Sequence, residues 1–200
     1  MEHIEVESAQ RLSKYWREIQ LAAKKFHAYN ILGEKWWENE ATLLLCAEFE
    51  GLCEGILESL ADSDPSVDNM DRFNVFLASF PVGTSYQDMT FFAQDVVSEG
   101  FRQFNYGEVD NLKLYGSIEP PQVPLQNLSI PTALFQGSLD RLANPTDVEW
   151  LATQIPDALV FREMYPLGHL SFLIALDMSW FSVDVMNLVN QYATNDLALQ

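Results

Sequence analysis

An acid and a histidine near the C-terminal end are the residues of this sequence best suited to chemistry. Asp140 follows the apolar run 130–136, and His169 follows a second apolar run, 158–161, after a short turn. A segment of helical character, 145–155, separates the two runs. Open α/β sheets place their sites where the carboxyl end of a strand meets a loop, as at Asp140, and Gly168 suits a tight loop that directs the imidazole of His169 toward a site. An acid can hold an imidazole in one tautomer, and the imidazole can then act as general base and general acid.

Both residues also have an ordinary structural interpretation, which the sequence leaves open. Asp140 closes the stretch Gly137-Ser138-Leu139-Asp140, where it could be a simple turn residue, and His169 could be a surface or capping histidine. The other histidines, His3 and His27, stand in an N-terminal helical region without an acid or a loop context. No role is predicted for these two.

The sequence supplies no nucleophile for the pair. The nearest match to a Gly-x-Ser-x-Gly turn is Gly83-Thr84-Ser85-Tyr86-Gln87, which lacks the second glycine, so Ser85 is predicted to be a helix cap. The segment Gly137-Ser138-Leu139 fails the pattern as well, and no cysteine lies in a suitable turn. Without a serine or cysteine, and without amides to bind an oxyanion, Asp140 and His169 cannot perform acyl transfer.

Composition places the chain among globular proteins and narrows its partners. It has 200 residues, of which 48% are hydrophobic and 20% are charged, enough for one domain with a sizeable core. The net charge of −18 argues against nucleic acid as a partner, because phosphate binding requires a basic surface. No apolar run reaches about 18 residues, so no transmembrane segment is expected. The first residues lack the basic and apolar regions of a signal peptide, so none is expected there.

The elements that must position the pair are predicted from periodicity and capping signals. Apolar residues recur at helical spacing in 6–29 and 40–61, and a further helix is predicted over 86–98, with Thr84 or Ser85 as its cap. Glycine and proline predict that residues 100–129 are rich in loops.

The α/β alternation begins at residue 130. Strands are predicted over 130–136 and 158–163, a helix over 145–155 with Asn144 as its cap, and a last helix over 179–192. The strands read as buried on both faces, which requires neighbouring strands. The predicted fold class is therefore α/β, with a helical first part.

At this level of detail the sequence resembles the C-terminal half of the acid lipases, the gastric and lysosomal acid lipase type of α/β-hydrolase. The resemblance runs from about Gly33 to the last helix. The matching blocks are Arg72-Phe73-Asn74-Val75-Phe76-Leu77, Pro81-Val82-Gly83-Thr84-Ser85-Tyr86-Gln87-Asp88-Met89, Phe104-Asn105-Tyr106-Gly107, Pro120-Pro121, Asp140-Arg141-Leu142-Ala143-Asn144-Pro145 with Asp147-Val148, and His169-Leu170-Ser171-Phe172 with Leu176-Asp177.

The resemblance implies a partial α/β-hydrolase fold, with a helical cap segment over 1–80 and the C-terminal part of the core over 81–200. It implies that Asp140 is the acid and His169 the histidine of a catalytic triad. It further implies a carboxylic ester hydrolase acting on triacylglycerols or sterol esters, with no metal or organic cofactor and a secreted or lysosomal setting. The nucleophilic serine would belong to an N-terminal half that is not in this chain.

The sequence departs from the family pattern at three points. Ser171 stands where the family usually carries an aspartate two residues after the histidine, and only Cys53 fits the cap cysteines well. The early strands, the nucleophile turn and the oxyanion residues are missing. Two alternatives to an ester hydrolase therefore stay open, namely a catalytically inactive lipase-like binding protein and a structural subunit of a larger assembly.

Overall fold

A computed structural model of this chain describes residues 3–26, 30–31, 66–72, 75–76, 78 and 83–198. Helices and strands are mixed, and the described strands form two two-stranded sheets, one antiparallel and one parallel. The predicted helix over 40–61 and both cysteines lie outside the described residues. The division into a cap segment over 1–80 and a core part over 81–200 therefore stays a prediction.

The N-terminal part contains two helices where the sequence predicted one over 6–29. Helix α1 spans Glu7–Ser13 and helix α2 spans Trp16–Phe26, and both pack against a later helix, α3, over Tyr86–Val97. The hydroxyl of Ser13 donates to the carbonyl of Ala9 at 2.7 Å, a local bond of the kind that competes with a continuing helix. The chain accordingly turns between the two helices.

Helix α3 begins as its capping signal predicts. Strand β1, Asn30–Ile31, pairs antiparallel with β2, Thr84–Ser85, directly before the helix. Ser85 is the cap: its Oγ accepts from the amide of Asp88 at 3.0 Å and donates to Asp88 Oδ2 at 2.8 Å. The prediction that Ser85 is a helix cap is confirmed.

The stretch 100–129, which the sequence predicted to be rich in loops, also contains helix α4, Glu108–Tyr115. Gly107 and Gly116, which suggested a loop, lie at its two ends, and Gly116 has the left-handed backbone (φ 72°) typical of a helix C-terminus. Periodicity could not reveal this helix, because its apolar side chains point to solvent. Three are exposed: Val109, Leu112 and Leu114. The helix is instead anchored by Asn111, which is fully buried.

The α/β alternation after residue 130 is confirmed. Strand β3, Thr132–Gly137, and strand β4, Leu159–Tyr165, pair in parallel and are connected by helix α5, Pro145–Gln154. Asn144 caps α5 through Oδ1, which accepts from the amide of Thr146 at 2.9 Å. Parallel pairing brings the C-terminal ends of β3 and β4 to the same edge.

The strands are less buried than predicted. Burial on both faces was expected, but Val160 and Met164 of β4 are each 46% exposed. The reason lies in the sheet itself: within the described residues, β3 and β4 have only each other as partners.

Aromatic side chains pack around the pair of strands. The ring of Phe135 lies 5.1 Å from that of Phe161 and 6.0 Å from Trp180, which also contacts Phe172 edge-on at 5.0 Å. Trp180 is the first residue of a π-helical segment, Trp180–Val185.

The chain after β4 is helical. Helix α6 spans Ser171–Ile174, and the π-helical segment continues into α7, Met186–Ala198, so the predicted last helix over 179–192 ends too early. A short 3-10 turn, Met70–Arg72, follows the stretch 67–69, which pairs with 174–176 through backbone bonds. Of the helices in the described part of the chain, none has the length and hydropathy of a membrane span.

Candidate active site

The two predicted residues meet at the C-terminal edge of the β3–β4 sheet. Nδ1 of His169 lies 3.0 Å from Oδ2 of Asp140. The carboxylate is only 5% exposed, whereas the imidazole is 44% exposed and can be reached from solvent. Because an ionised carboxylate only accepts hydrogen bonds, Nδ1 is the donor, and the lone pair of the neutral ring then lies on Nε2.

The loop after β3 holds the second carboxylate oxygen of Asp140. Oδ1 accepts from the amide of Leu142 at 2.9 Å and from the amide of Ala143 at 2.7 Å. This is the Asx-type turn in which an aspartate bonds backbone a few residues ahead. The buried carboxylate thus has both oxygens occupied, with Oδ1 held by the two loop amides and Oδ2 facing His169.

The loops after β3 and β4 are joined by backbone hydrogen bonds. The amide of Ser138 donates to the carbonyl of Tyr165 at 2.8 Å, and that of Leu139 donates to the carbonyl of Leu167 at 3.1 Å. The chains approach most closely at Gly137, where an added Cβ would lie 2.2 Å from the carbonyl oxygen of Leu167. A glycine is required there, and the sequence alone did not reveal that requirement.

Ser171, which departs from the family pattern, supports the histidine loop. Its side chain is fully buried, and its Oγ accepts from the amide of Gly168 at 3.1 Å. Below the loop, the hydroxyl of Tyr165 donates to Asp184 at 2.7 Å and ties β4 to the π-helical segment. Burial and this hydrogen bond raise the pKa of Tyr165 above its usual value.

A second histidine has a partner that the sequence did not predict. The sequence predicts no role for His3, yet its Nδ1 lies 2.8 Å from Oδ1 of Asp147 in the first turn of α5. Glu5, two residues further on, bonds the backbone and the side chain of Arg141 and the side chain of Asn144. These contacts could not be predicted from the sequence, because the residues that make them are more than a hundred positions apart.

The structure places both serines that the sequence offered as possible nucleophiles. Ser85 is occupied as the cap of α3, and Ser138 lies exposed in the loop between β3 and Asp140. Within the ranges that the structure describes, no group of three or more His, Cys, Asp or Glu side chains is arranged to hold a metal ion. The arrangement can therefore orient an imidazole and move a proton through it.

Sequence comparison finds lipases among the relatives of this chain. It is 32% identical over 149 residues to lipase member K of Homo sapiens, 74% of this chain and 37% of that protein. It is 35% identical over 127 residues to gastric triacylglycerol lipase of Rattus norvegicus, 63% of this chain and 32% of the relative. It is 31% identical over 143 residues to lysosomal acid lipase/cholesteryl ester hydrolase of Rattus norvegicus, 70% and 36% respectively.

The chain thus spans about a third of the length of the curated relatives it matches, 32–37%. No protein-family model matches it. The relatives agree with the resemblance to gastric and lysosomal acid lipases and with a segment that represents only part of such a protein.

Proposed function

We propose that this chain, a homologue of the gastric and lysosomal acid lipases over 63–74% of its length, provides the acid and the histidine of a lipase-type carboxylic ester hydrolase. Asp140 is the acid and His169 is the general base. The observation that carries the proposal is the 3.0 Å contact between His169 Nδ1 and the buried carboxylate of Asp140. The imidazole is 44% exposed, so that it can be reached from solvent, and this supports the proposal.

In the proposed reaction, His169 transfers one proton in each of the two half-reactions. Nε2 takes the proton from a serine hydroxyl as that oxygen attacks the ester carbonyl, and Asp140 stabilises the resulting imidazolium. The imidazolium then gives the proton to the departing alcohol as the carbon–oxygen bond breaks. In the second half-reaction, water attacks the ester formed with the serine and gives its proton to Nε2. The imidazolium then gives a proton to the serine oxygen as its bond to the acyl carbon breaks, which releases the carboxylic acid and restores the serine.

The serine and the oxyanion donors come from a segment outside residues 1–200, in the same polypeptide or in a separate one. With it, β3 and β4 would be the last strands of an α/β-hydrolase core, and residues 1–80 would form part of its cap. The names of the relatives favour a triacylglycerol or a sterol ester as substrate and a secreted or lysosomal location. No cofactor is needed for this chemistry.

The proposal is tested by supplying the missing part. The coding region upstream is searched for an in-frame Gly-x-Ser-x-Gly segment, which is produced together with residues 1–200 and assayed with a short-chain ester. We expect hydrolysis that Asp140→Asn lowers by about a thousandfold or more. Asp157→Asn, a matched change at an exposed aspartate after α5, should leave the rate unchanged.

Residues 1–200 alone should not hydrolyse the ester above background. Turnover by this chain alone that His169→Ala abolishes would contradict the proposal, because it would reveal a nucleophile within the chain. Equal rates for Asp140→Asn and Asp157→Asn in the completed protein would remove Asp140 from the mechanism.

One observation favours the alternative of an inactive lipase-like protein that binds lipid or serves as a structural subunit. Leu173 and Leu176, close after the histidine loop, are 66% and 65% exposed. A completed protein that binds vesicles but hydrolyses no ester, with binding weakened by Leu173→Ser and Leu176→Ser, would support this alternative.

A further inference from the structure

The N-terminal residues 3–6 lie along the loop that carries Asp140. Ile4 and Val6 are 3% and 2% exposed, while His3 and Glu5 between them are exposed at the surface. This alternation anchors the short segment by two buried apolar side chains and leaves its polar groups to contact neighbouring residues. We call residues 3–6 the strap.

The strap makes three hydrogen bonds to the loop between β3 and α5, all through Glu5. Its amide donates to the carbonyl of Arg141 at 2.8 Å, and its carbonyl accepts from Arg141 Nη2 at 3.2 Å. Its carboxylate accepts from Nδ2 of Asn144 at 3.1 Å. Asn144 is itself 6% exposed and caps α5 with its other side-chain atom, Oδ1. The side-chain amide of Asn144 is therefore hydrogen-bonded through both its nitrogen and its oxygen.

A second attachment lies one turn further along. The amide of His3 donates to Oδ2 of Asp147 at 3.2 Å, and the ring Nδ1 lies 2.8 Å from Oδ1 of the same carboxylate. The strap is thus bound to the first turn of α5 as well as to the loop before it.

We propose that the strap positions the acid of the site, with Glu5 as a positioning residue for Asp140. The two residues that Glu5 contacts, Arg141 and Asn144, lie on either side of Leu142 and Ala143. The amides of Leu142 and Ala143 hold Oδ1 of Asp140. Fixing both ends of that short stretch keeps the two amides on Oδ1 and so keeps Oδ2 directed at His169.

The strap's role rests on the proposed function only for the identity of Asp140 as the acid, and its test does not depend on ester hydrolysis. Hydrogen exchange at the amides of Leu142 and Ala143 is measured in residues 1–200, together with the ¹⁵N-detected Nδ1–H signal of His169. That signal is assigned by its loss in His169→Gln. Both measurements report the geometry around Asp140 directly.

Four chains are compared: the unaltered protein, Glu5→Ala, Glu5→Gln and Glu7→Ala. Removing the acceptor in Glu5→Ala should speed exchange at both amides by roughly five- to tenfold and weaken the His169 signal. Glu5→Gln keeps an oxygen for the Asn144 amide and should restore both. Glu7→Ala is the matched control, since Glu7 is 76% exposed and pairs only with Arg11 in the same helix among the contacts described.

Asn144→Ser provides a second, independent variant. A serine keeps an oxygen that can cap α5 but lacks the Nδ2 that donates to Glu5. It should therefore reproduce the faster exchange of Glu5→Ala while α5 stays folded by circular dichroism. Unchanged exchange in both folded variants would overturn the positioning role, as would an equal increase in Glu7→Ala. Absence of ester hydrolysis would count against the proposed function and leave the strap's role intact.

Discussion

Replacing Gly137 by alanine should disrupt the site at its closest backbone contact. The new Cβ would lie 2.2 Å from the carbonyl oxygen of Leu167, whereas an ordinary contact begins at 3.4 Å, so the chains must separate by about 1.2 Å (3.4 − 2.2). That movement takes the bond from Leu139 to Leu167, now 3.1 Å, beyond hydrogen-bonding range. His169 follows Leu167 by two residues, so a displacement of this size also breaks its 3.0 Å contact with Asp140.

The expected destabilisation follows from two contributions. Overpacking a tight site costs about 1–3 kcal/mol, and the lost backbone hydrogen bond costs about 1 kcal/mol, which together give about 2–4 kcal/mol. A domain of ordinary stability, roughly 5–15 kcal/mol, would still fold. The free energy of unfolding is measured by urea titration at neutral pH, and the His169 Nδ1–H signal is recorded on the folded variant.

Gly116→Ala is the control, because it changes a glycine without creating a clash. Nothing lies within 4 Å of its added Cβ, but its φ of +72° makes alanine strained by about 1–2 kcal/mol. Stability should fall while the His169 signal stays unchanged. The reasoning would be refuted by a Gly137→Ala protein that keeps both its His169 signal and its unfolding free energy to within about 0.5 kcal/mol.

Three further outcomes are expected. In Asp140→Asn, the side-chain oxygen should stay with the two loop amides, which leaves the NH₂ group facing His169. Because that group donates, Nδ1 must accept, so ¹⁵N spectra should show the neutral ring protonated at Nε2. A retained Nδ1–H signal would contradict this. Burial raises the pKa of Asp95 from 3.8 to about 6, so the folded state favours the protonated carboxyl group. The free energy of unfolding should therefore fall as the pH rises between these two values and level off above the higher one. Urea titrations should show this slope disappearing in Asp95→Asn, and an equal slope in that variant would exclude Asp95 as its source. Asn111→Ala removes the hydrogen bonds that a fully buried side-chain amide makes to three backbone or side-chain partners. It should lower the free energy of unfolding by about 2–4 kcal/mol, measured by thermal denaturation. A loss below about 0.5 kcal/mol would mean that α4 is anchored elsewhere.

The sequence predicted best those elements that carry their own local signals. Asn144 and Pro145 mark the start of α5, and Ser85 with Asp88 marks the start of α3, each through residues within one helical turn. From their positions after two strands, Asp140 and His169 were predicted as a possible acid and histidine pair, and the structure brings them together because the parallel pairing of β3 and β4 places both strand ends at one edge. Their catalytic roles stay a prediction.

What the sequence could not predict depends on contacts between distant residues or on local backbone geometry. The strap joins Glu5 to Asn144 across 139 positions, and no periodicity connects such residues. Helix α4 has exposed apolar side chains and is anchored by the buried Asn111, so it lacks the apolar face that periodicity detects. The close approach at Gly137 is a property of the loop after β4, which the residues around the glycine do not specify.

The spacing of these contacts along the chain has a consequence for the order of folding. Asp140 and His169 are separated by 29 positions, whereas Glu5 and Asn144 are separated by 139. Closing the longer loop costs about 1.4 kcal/mol more in chain entropy, from the logarithmic dependence on loop length. The β3–α5–β4 unit should therefore assemble its acid and histidine early, as a local event. The strap docks afterwards, so its contribution should appear in the unfolding rate more than in the folding rate.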